Sequence, residues 1–203
     1  MKAKELLLLE AYKLYVSKPY DQVTFSELEK VTKLSRGAIL YHYKSKEILF
    51  NAVVETFVIK QSSVSALINE DCDSLLEFIK KIIAGCKSEM QEYRSRGINN
   101  MNLAKFHMEF HALSYYNGAQ NIFRKWLENE QNIWHYHLSN AMKNKEIRDD
   151  LNLDLFSNMF INLYQGTSFS GLCRLEGYDI ALLEKEFIAL YNLIKNGDMA
   201  NEI

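Results

Sequence analysis

Only one proline and eight glycines occur among the 203 residues of this chain. Both residue types interrupt helices and mark turns, so their scarcity favours long helices joined by short connections. Hydrophobic residues make up 48% of the chain, which is ordinary for a globular protein and enough to build a substantial core. The sequence therefore predicts an all-α fold.

The cysteines and the apolar runs limit the class of protein. Cys72, Cys86 and Cys173 are widely separated and form no CxxC pair, so we interpret them as reduced residues with a packing role. The N-terminus lacks the pattern of a signal peptide, and no apolar run approaches the roughly 20 residues that a membrane helix needs. We expect a cytoplasmic protein without a membrane segment, a cofactor or a metal site.

Charge is divided unevenly along the chain. Residues 1–50 carry nine Lys and Arg against six Asp and Glu, a net charge of +3. The remaining 153 residues carry 15 Lys and Arg against 20 Asp and Glu, a net charge of −5. A small basic segment joined to a larger acidic one fits a protein whose first part binds nucleic acid.

The first 50 residues contain the start and stop signals of several short helices. A first helix is predicted from about Lys2 to Val16, because apolar residues recur there at helical spacing. It should end before Pro19, since proline disfavours helical conformation in the residue that precedes it. Thr24 and Glu27 form the pattern of a capping box, which starts a second helix that ends near Lys33.

A helix capped by Ser35 follows after about three residues, which completes a helix-turn-helix motif. In this helix Ile39 and Tyr43 are predicted to pack inward, whereas the opposite face starts with Arg36 and two small residues. Small residues allow the backbone to approach a major groove, and the Arg36 guanidinium can donate twice to guanine. A further helix, capped by Ser45, would present its positive N-terminal end to a phosphate.

These residues resemble the N-terminal pattern of the tetracycline-repressor (TetR) family of bacterial transcriptional regulators. The matching positions are Thr24, Leu28, Ser35, Arg36, Gly37, Ile39, His42, Lys46, Glu47 and Leu49. The resemblance covers about residues 7–55 and implies an N-terminal three-helix helix-turn-helix head followed by a C-terminal helical bundle. Pro19 and Lys33 depart from the pattern by replacing common glycines, and Leu40 replaces a common phosphate-contacting tyrosine.

The predicted DNA-binding domain covers residues 1–48, and the predicted effector-binding and dimerisation domain covers residues 49–203. We expect residues 36–41 to read bases and the neighbouring polar residues to hold the DNA backbone. The candidate DNA-binding residues are Thr24, Ser35, Arg36, Gly37, Ala38, Leu40, Tyr41, His42, Lys44 and Lys46.

Two C-terminal helices are candidates for the interface of a homodimer. Apolar residues recur at four-three-four spacing in the last helix, and small residues in the helix before it would allow close approach. The resemblance implies that these helices form a four-helix interface; the alternative is that the apolar residues pack only within their own domain. The candidate interface residues are Phe156, Leu163, Gly171, Leu183, Phe187, Leu190 and Ile194.

An aromatic-rich centre of the second domain is the candidate effector pocket, since small-molecule sites are mostly apolar with a few hydrogen-bonding groups. The candidate pocket residues are Phe106, Phe110, His111, Tyr115, Trp134, Phe160 and Tyr164. The alternative is that these side chains fill the core. His107 and His111 would share a helix face, but no third metal ligand occurs at a recognisable spacing, so a metal is not expected.

Together these features predict a ligand-responsive DNA-binding transcriptional regulator and not an enzyme. We predict a repressor that binds a palindromic double-stranded operator as a homodimer and is released by a small, largely apolar effector. Two alternatives remain at this stage. One is a helical enzyme that uses the aromatic cavity, although no nucleophile–base pair is recognisable. The other is a helical small-molecule-binding or adaptor protein that has lost specific DNA binding.

Overall fold

The computed structural model describes residues 2–60 and 72–197, and these residues form an all-α fold. Within these ranges there is no β-strand, and one isolated bridge joins Ile147 to Lys195. The nine α-helices of the described ranges are α1 (Ala3–Ser17), α2 (Phe25–Thr32), α3 (Arg36–His42), α4 (Lys46–Val54), α5 (Leu75–Ser95), α6 (Met101–Tyr115), α7 (Ala119–Lys143), α8 (Leu153–Ser170) and α9 (Ile180–Ile194). The predicted fold class is confirmed.

Side-chain caps start the short helices where the sequence predicts them. The Glu27 amide donates to the Thr24 hydroxyl at 3.3 Å, and the Thr24 amide donates to the Glu27 carboxylate at 3.0 Å. The Ala38 amide donates to the Ser35 hydroxyl at 3.3 Å, and Ser45 caps α4 in the same way. Each cap satisfies an amide that the helix itself leaves unpaired, so α2, α3 and α4 begin at fixed residues.

The sequence predicted the end of α1 closely, but it did not predict the backbone conformation of the turn after α2. α1 ends at Ser17, one residue later than predicted, and Pro19 precedes a 3-10 turn at Tyr20–Gln22. In the turn after α2, Lys33 stands where the family pattern commonly has glycine, and its φ of 58° lies in the left-handed region that favours glycine.

The first of two compact units, here called the head unit, comprises Met1–Ser62 and Leu103–Ile122. Side chains from α1, α2, α3, α4 and α6 fill its core and are at most 1% exposed: Leu7, Ala11, Tyr12, Tyr15, Leu28, Ile39, Leu49, Phe50, Val53, Met108 and Ala112. α4 continues into a π-helical turn at Glu55–Ile59. The predicted boundary between residues 48 and 49 lies inside α4 and stays a prediction about function.

The second compact unit, here called the body unit, comprises Ser63–Asn102 and Phe123–Ile203. Four buried rings form the centre of its core. The Trp134 and Phe160 rings stack with centroids 4.4 Å apart, and the Phe187 ring meets each of them edge-on at 5.5 Å. The Phe78 ring meets Trp134 edge-on at 5.0 Å. Aromatic pairs in these geometries bury large apolar areas and so stabilise the unit.

The buried carboxylate of Glu146 caps the N-terminus of α5. Glu146 accepts hydrogen bonds from the Leu75 amide at 2.8 Å and from the Leu76 amide at 3.2 Å. The Tyr191 hydroxyl donates to the same carboxylate at 3.1 Å. An anion at a helix N-terminus is favourable because the unpaired amides carry partial positive charge. Burial, and then the charge of Glu146, raise the pKa of Tyr191 to about 12, so this hydroxyl keeps its proton at neutral pH.

Candidate nucleic-acid interface

One side of α3 packs in the head unit and the other side faces solvent. Ile39 is 0% exposed and Tyr43 is 5% exposed, whereas Tyr41 on the opposite side is 85% exposed. The predicted inward and outward faces of this helix are therefore confirmed. Among the candidate DNA-binding residues, the exposed ones are Thr24, Ser35, Arg36, Gly37, Tyr41 and Lys44, and the half-buried ones are Ala38, Leu40, His42 and Lys46.

Gly37 leaves open space at the start of the exposed side. A methyl group at Gly37 would meet only the Ser35 hydroxyl oxygen, at 3.9 Å, which is an ordinary contact distance. The packing of the head unit therefore does not require a glycine here. Its effect is to uncover the backbone in the first turn of α3, where another molecule could approach closely.

Two contacts from α2 position Arg36 beside this space. The guanidinium carbon lies 5.2 Å from the centroid of the Phe25 ring, a cation–π contact that holds the charge at the surface. The Arg36 amide donates to the Glu29 carboxylate at 2.7 Å, so α2 also supplies a cap for α3. The exposure of Arg36 was predictable from the sequence, and these two contacts were not.

Lys46 has a structural role, the bonding of backbone carbonyls, that was not predicted from the sequence. Its ammonium group donates to the Tyr20 carbonyl at 3.0 Å and to the Val23 carbonyl at 3.2 Å. It also lies 4.2 Å from the centroid of the Tyr20 ring. An ammonium group has three donors, so these two hydrogen bonds leave a third donor for a phosphate. The phosphate contact itself stays a prediction.

Residues of α6 pack against the N-terminal helices inside the head unit. The Tyr115 ring stacks on the Tyr20 ring at 4.5 Å, and the Tyr115 hydroxyl donates to Asp21 at 3.1 Å. The hydrogen bond to Asp21 raises the pKa of Tyr115. His107 Nδ1 lies 2.9 Å from the Val16 carbonyl and must donate to it, since a carbonyl can only accept. These contacts fix α6 against the end of α1 and the turn that follows.

The candidate pocket residues are divided between the two compact units. Phe106, Phe110, His111 and Tyr115 belong to the head unit, and Trp134, Phe160 and Tyr164 belong to the body unit. Trp134 is 1% exposed and Phe160 is 0% exposed, so both rings pack in the core of the body unit, and their role in an effector pocket stays a prediction. In the described ranges no group of three or more His, Cys, Asp and Glu side chains could hold a metal ion.

Most of the predicted dimer residues are buried within their own unit. Leu183, Phe187, Leu190 and Ile194 are at most 5% exposed, because this face of α9 packs into the core of the body unit. A second subunit cannot reach side chains that are already covered. The prediction that these four residues form the dimer interface is therefore wrong, and the alternative of packing within the domain holds for them.

Gly171 is also required by the body unit itself. A methyl group at Gly171 would lie 2.6 Å from the Tyr178 amide nitrogen and 2.8 Å from Asn102 Oδ1. The Tyr178 amide donates to that same oxygen at 2.8 Å, so the backbone passes too close for any side chain at Gly171. These contacts explain why glycine stands at this position, and its role at a dimer interface stays a prediction. Phe156 and Leu163 are half-buried, and their role stays a prediction.

Exposed apolar side chains occur on other faces of α8 and α9. The five that stand out are Leu155, Met159 and Phe169 on α8, and Leu182 and Leu193 on α9, with exposures between 39% and 72%. On each helix these positions fall within one face at 100° per residue. Helical periodicity could have revealed both faces, but the sequence analysis followed only the more apolar one.

The N-terminal sequence matches the model of one protein family. Residues 7–53 match the family described as bacterial regulatory proteins, tetR family. The matched range contains all of α2 and α3, including the caps and the exposed side described above. The N-terminal part of this chain is therefore similar to the DNA-binding region of the TetR family. The resemblance inferred from the sequence is confirmed over these residues, which form a helix-turn-helix domain of the kind found in TetR-family transcriptional regulators.

Solved structures of TetR-family regulators share the fold of this protein. A regulator from Agrobacterium tumefaciens is 12% identical with a TM-score of 0.64, covering 96% of this chain and 98% of that one. One from Aquifex aeolicus VF5 is 17% identical with a TM-score of 0.62, covering 95% and 99%. One from Cytophaga hutchinsonii is 15% identical with a TM-score of 0.61, covering 95% and 94%. These identities support the fold alone. No curated protein matches the sequence.

In the residues that the structure describes, no helix is both long enough and apolar enough to cross a bilayer.

Proposed function

We propose that this protein is a TetR-family repressor that binds a palindromic operator as a homodimer, with α3 in the major groove. The observation that carries this proposal is the exposed side of α3, where Arg36 stands beside the open space at Gly37. An α-helix with its side chains is about 10–12 Å across, which fits a major groove about 12 Å wide. Arg36 would donate to a guanine, and Tyr41, His42 and Lys44 would contact the DNA backbone.

The replacement Gly37→Ala tests this proposal because it separates folding from DNA binding. The added methyl group meets no close neighbour in the protein, and alanine is the better helix former. The free energy of unfolding should therefore rise by about 0.5–1 kcal/mol. Operator affinity should nevertheless fall, since the methyl group would occupy the space nearest the bases. Duplexes that the unmodified protein selects from a random pool provide the operator for the titration.

Arg36→Ala on the same duplexes distinguishes base reading from backbone contact. It should cost about 1–3 kcal/mol on the selected duplex and much less on a scrambled duplex of the same composition. Equal losses on both duplexes would show that Arg36 contacts only the backbone. A folded protein that enriches no duplex from the pool would contradict DNA binding and favour the adaptor alternative.

We place the proposed dimer interface on the exposed apolar faces of α8 and α9. A palindromic operator has two-fold symmetry, so its reader needs a two-fold axis as well. Leu155, Met159 and Phe169 supply the apolar surface of α8, and Leu182 and Leu193 supply that of α9. The Thr167 hydroxyl donates to Glu186 at 3.1 Å, which joins the two helices within the body unit.

The proposed effector is a small, largely apolar molecule that binds the body unit. The Trp134 and Phe160 rings are already packed against each other, so an effector that uses them must displace one ring. Effector and operator should weaken each other by the same factor, because linkage between two sites is reciprocal. A thermal-shift screen of aromatic compounds, followed by operator titrations, tests this part. Compounds that stabilise the protein but leave operator affinity unchanged would contradict it.

A further inference from the structure

Lys33, in the turn between α2 and α3, has a backbone conformation that lysine rarely adopts. Its φ is 58°, and in the described part of the chain only Lys145, with a φ of 59°, is another non-glycine residue with a positive value. The β-carbon is disfavoured in this region, so glycine would be the more stable residue at either position. The Lys33 side chain is exposed, which means that packing does not explain why lysine occupies the turn.

The charge of Lys33 is also available to another molecule. Several cations of the head unit have partners within it: Lys18 pairs with Glu27, and Lys46 donates to two carbonyls. The ammonium groups of Lys33 and Lys44, by contrast, make no hydrogen bond or ion pair with any residue that the structure describes. A cation that is exposed and has no partner in its own protein can bind an anion without first breaking a contact.

Lys33 and Lys44 lie beyond opposite ends of α3. Lys33 stands three residues before Arg36, the first residue of the helix, and Lys44 stands two residues after His42, the last one. A helix lying in the major groove has a sugar-phosphate backbone on each side of it. Residues just beyond the two ends of such a helix are therefore placed to meet phosphates on the two borders of the groove.

We propose that Lys33 is a further DNA-contact residue whose ammonium group binds a backbone phosphate at the end of α3 opposite to Lys44. This inference rests on the proposed DNA binding. Lysine then occupies a position that favours glycine because the phosphate contact in the complex outweighs the backbone cost in the protein alone. The contact is independent of base sequence, since every nucleotide carries the same phosphate.

The replacement Lys33→Gly removes the ammonium group, and it also removes the energetic cost of the left-handed conformation, because glycine has no β-carbon. The midpoint of urea denaturation should rise, while affinity for an arbitrary duplex of about 30 base pairs should fall about eightfold per head near 0.1 M salt. The slope of log affinity against log salt should become less negative by about 0.9 per head. Lys33→Asn, which tolerates the left-handed region, should lose affinity in the same way, and Lys33→Arg should keep the slope.

Lys145→Gly is the matched control, because Lys145 has the same conformation but belongs to the body unit. Its contact with Asn196 uses the backbone carbonyl, which glycine retains. This variant should raise the denaturation midpoint without changing duplex affinity or salt slope. An unmodified protein that binds the duplex, with a Lys33→Gly variant of equal affinity and slope, would overturn the role of Lys33 alone. An unmodified protein that binds no duplex at any salt concentration would overturn the DNA-binding proposal as well.

Discussion

At the scale of single residues, Lys46 shows how one side chain can serve both the fold and a surface. Its ammonium group connects the first turn of α4 to carbonyls of Tyr20 and Val23, which lie 26 and 23 residues earlier in the chain. Backbone carbonyls carry no residue-specific signal, so no sequence pattern could have revealed this contact. The capping residues, in contrast, were predictable because Thr24 and its partner Glu27 lie within one helical turn.

We predict that Lys46→Met lowers the free energy of unfolding by about 1–2 kcal/mol, because two loop carbonyls lose a charged donor. It should also weaken binding to duplexes of any sequence. Lys44→Met is the control: Lys44 is exposed, so DNA binding should weaken while unfolding is unchanged. Urea titrations and duplex titrations measure the two effects. Equal unfolding free energies for the two variants would show that Lys46 does not support the loop.

His111 should give the head unit a pH-dependent stability. Burial, and then the neighbouring His107, hold the pKa of His111 below its usual value. Since the folded-state pKa lies below the unfolded one, the stability due to the neutral ring is complete above about pH 6.5 and is lost as the pH falls through the folded-state pKa. We predict that His111→Gln flattens the dependence of the unfolding free energy on pH below about pH 6.5. A curve as steep as that of the unmodified protein would contradict this role.

At the scale of helices, the sequence predicted correctly which residues share a face. It predicted less well which part of the protein each face packs against. The inward positions Ile39, in α3, and Tyr43, directly after it, were predicted correctly because residues four apart share one side of a helix. In α9 the residues around Phe187 were correctly grouped but assigned to a second subunit. An apolar face gives the same periodicity whether it packs on its own unit or on a partner, so the sequence alone could not separate the two.

We predict that Glu146→Ala lowers the free energy of unfolding by about 3 kcal/mol, since the buried Leu75 amide, the part-buried Leu76 amide and the Tyr191 hydroxyl lose their acceptor. Tyr191→Phe removes only one of these hydrogen bonds and should cost about 1 kcal/mol. Hydrogen exchange at the Leu75 and Leu76 amides should accelerate most in Glu146→Ala. Unchanged exchange at those amides would show that the carboxylate does not cap α5.

At the scale of the whole molecule, composition was enough to predict an all-helical chain, and a motif of about 50 residues was enough to predict the family that its N-terminal part matches. The return of residues 103–122 to the head unit was not predicted. It depends on contacts such as the one between Tyr115 and Tyr20, which lie far apart in sequence and follow no spacing rule. For the same reason, the pocket predicted from the sequence combined residues that belong to different units.

Three aspartate variants test the proposed interface of the dimer. Phe169→Asp should give a folded monomer with weak operator binding, because Phe169 is 62% exposed and an unpaired carboxylate is costly to bury against a second subunit. Phe187→Asp should unfold the body unit, since that side chain is 0% exposed. Leu175→Asp, at a position 93% exposed outside both helices, should remain dimeric. Light scattering and circular dichroism distinguish these outcomes, and a dimeric Phe169→Asp would place the interface elsewhere.

Each compact unit consists of two separate stretches of the chain, which limits how this protein can be divided into fragments. A gene fragment that ends after Ser62 encodes the whole helix-turn-helix motif but omits Leu103–Ile122. Such a fragment would lack the ring that stacks on Tyr20 and the imidazole that donates to the last turn of α1. Recombination that shuffles continuous segments cannot transfer this head intact. A portable DNA-binding module built from this protein would need both stretches, joined by a linker in place of the residues between them.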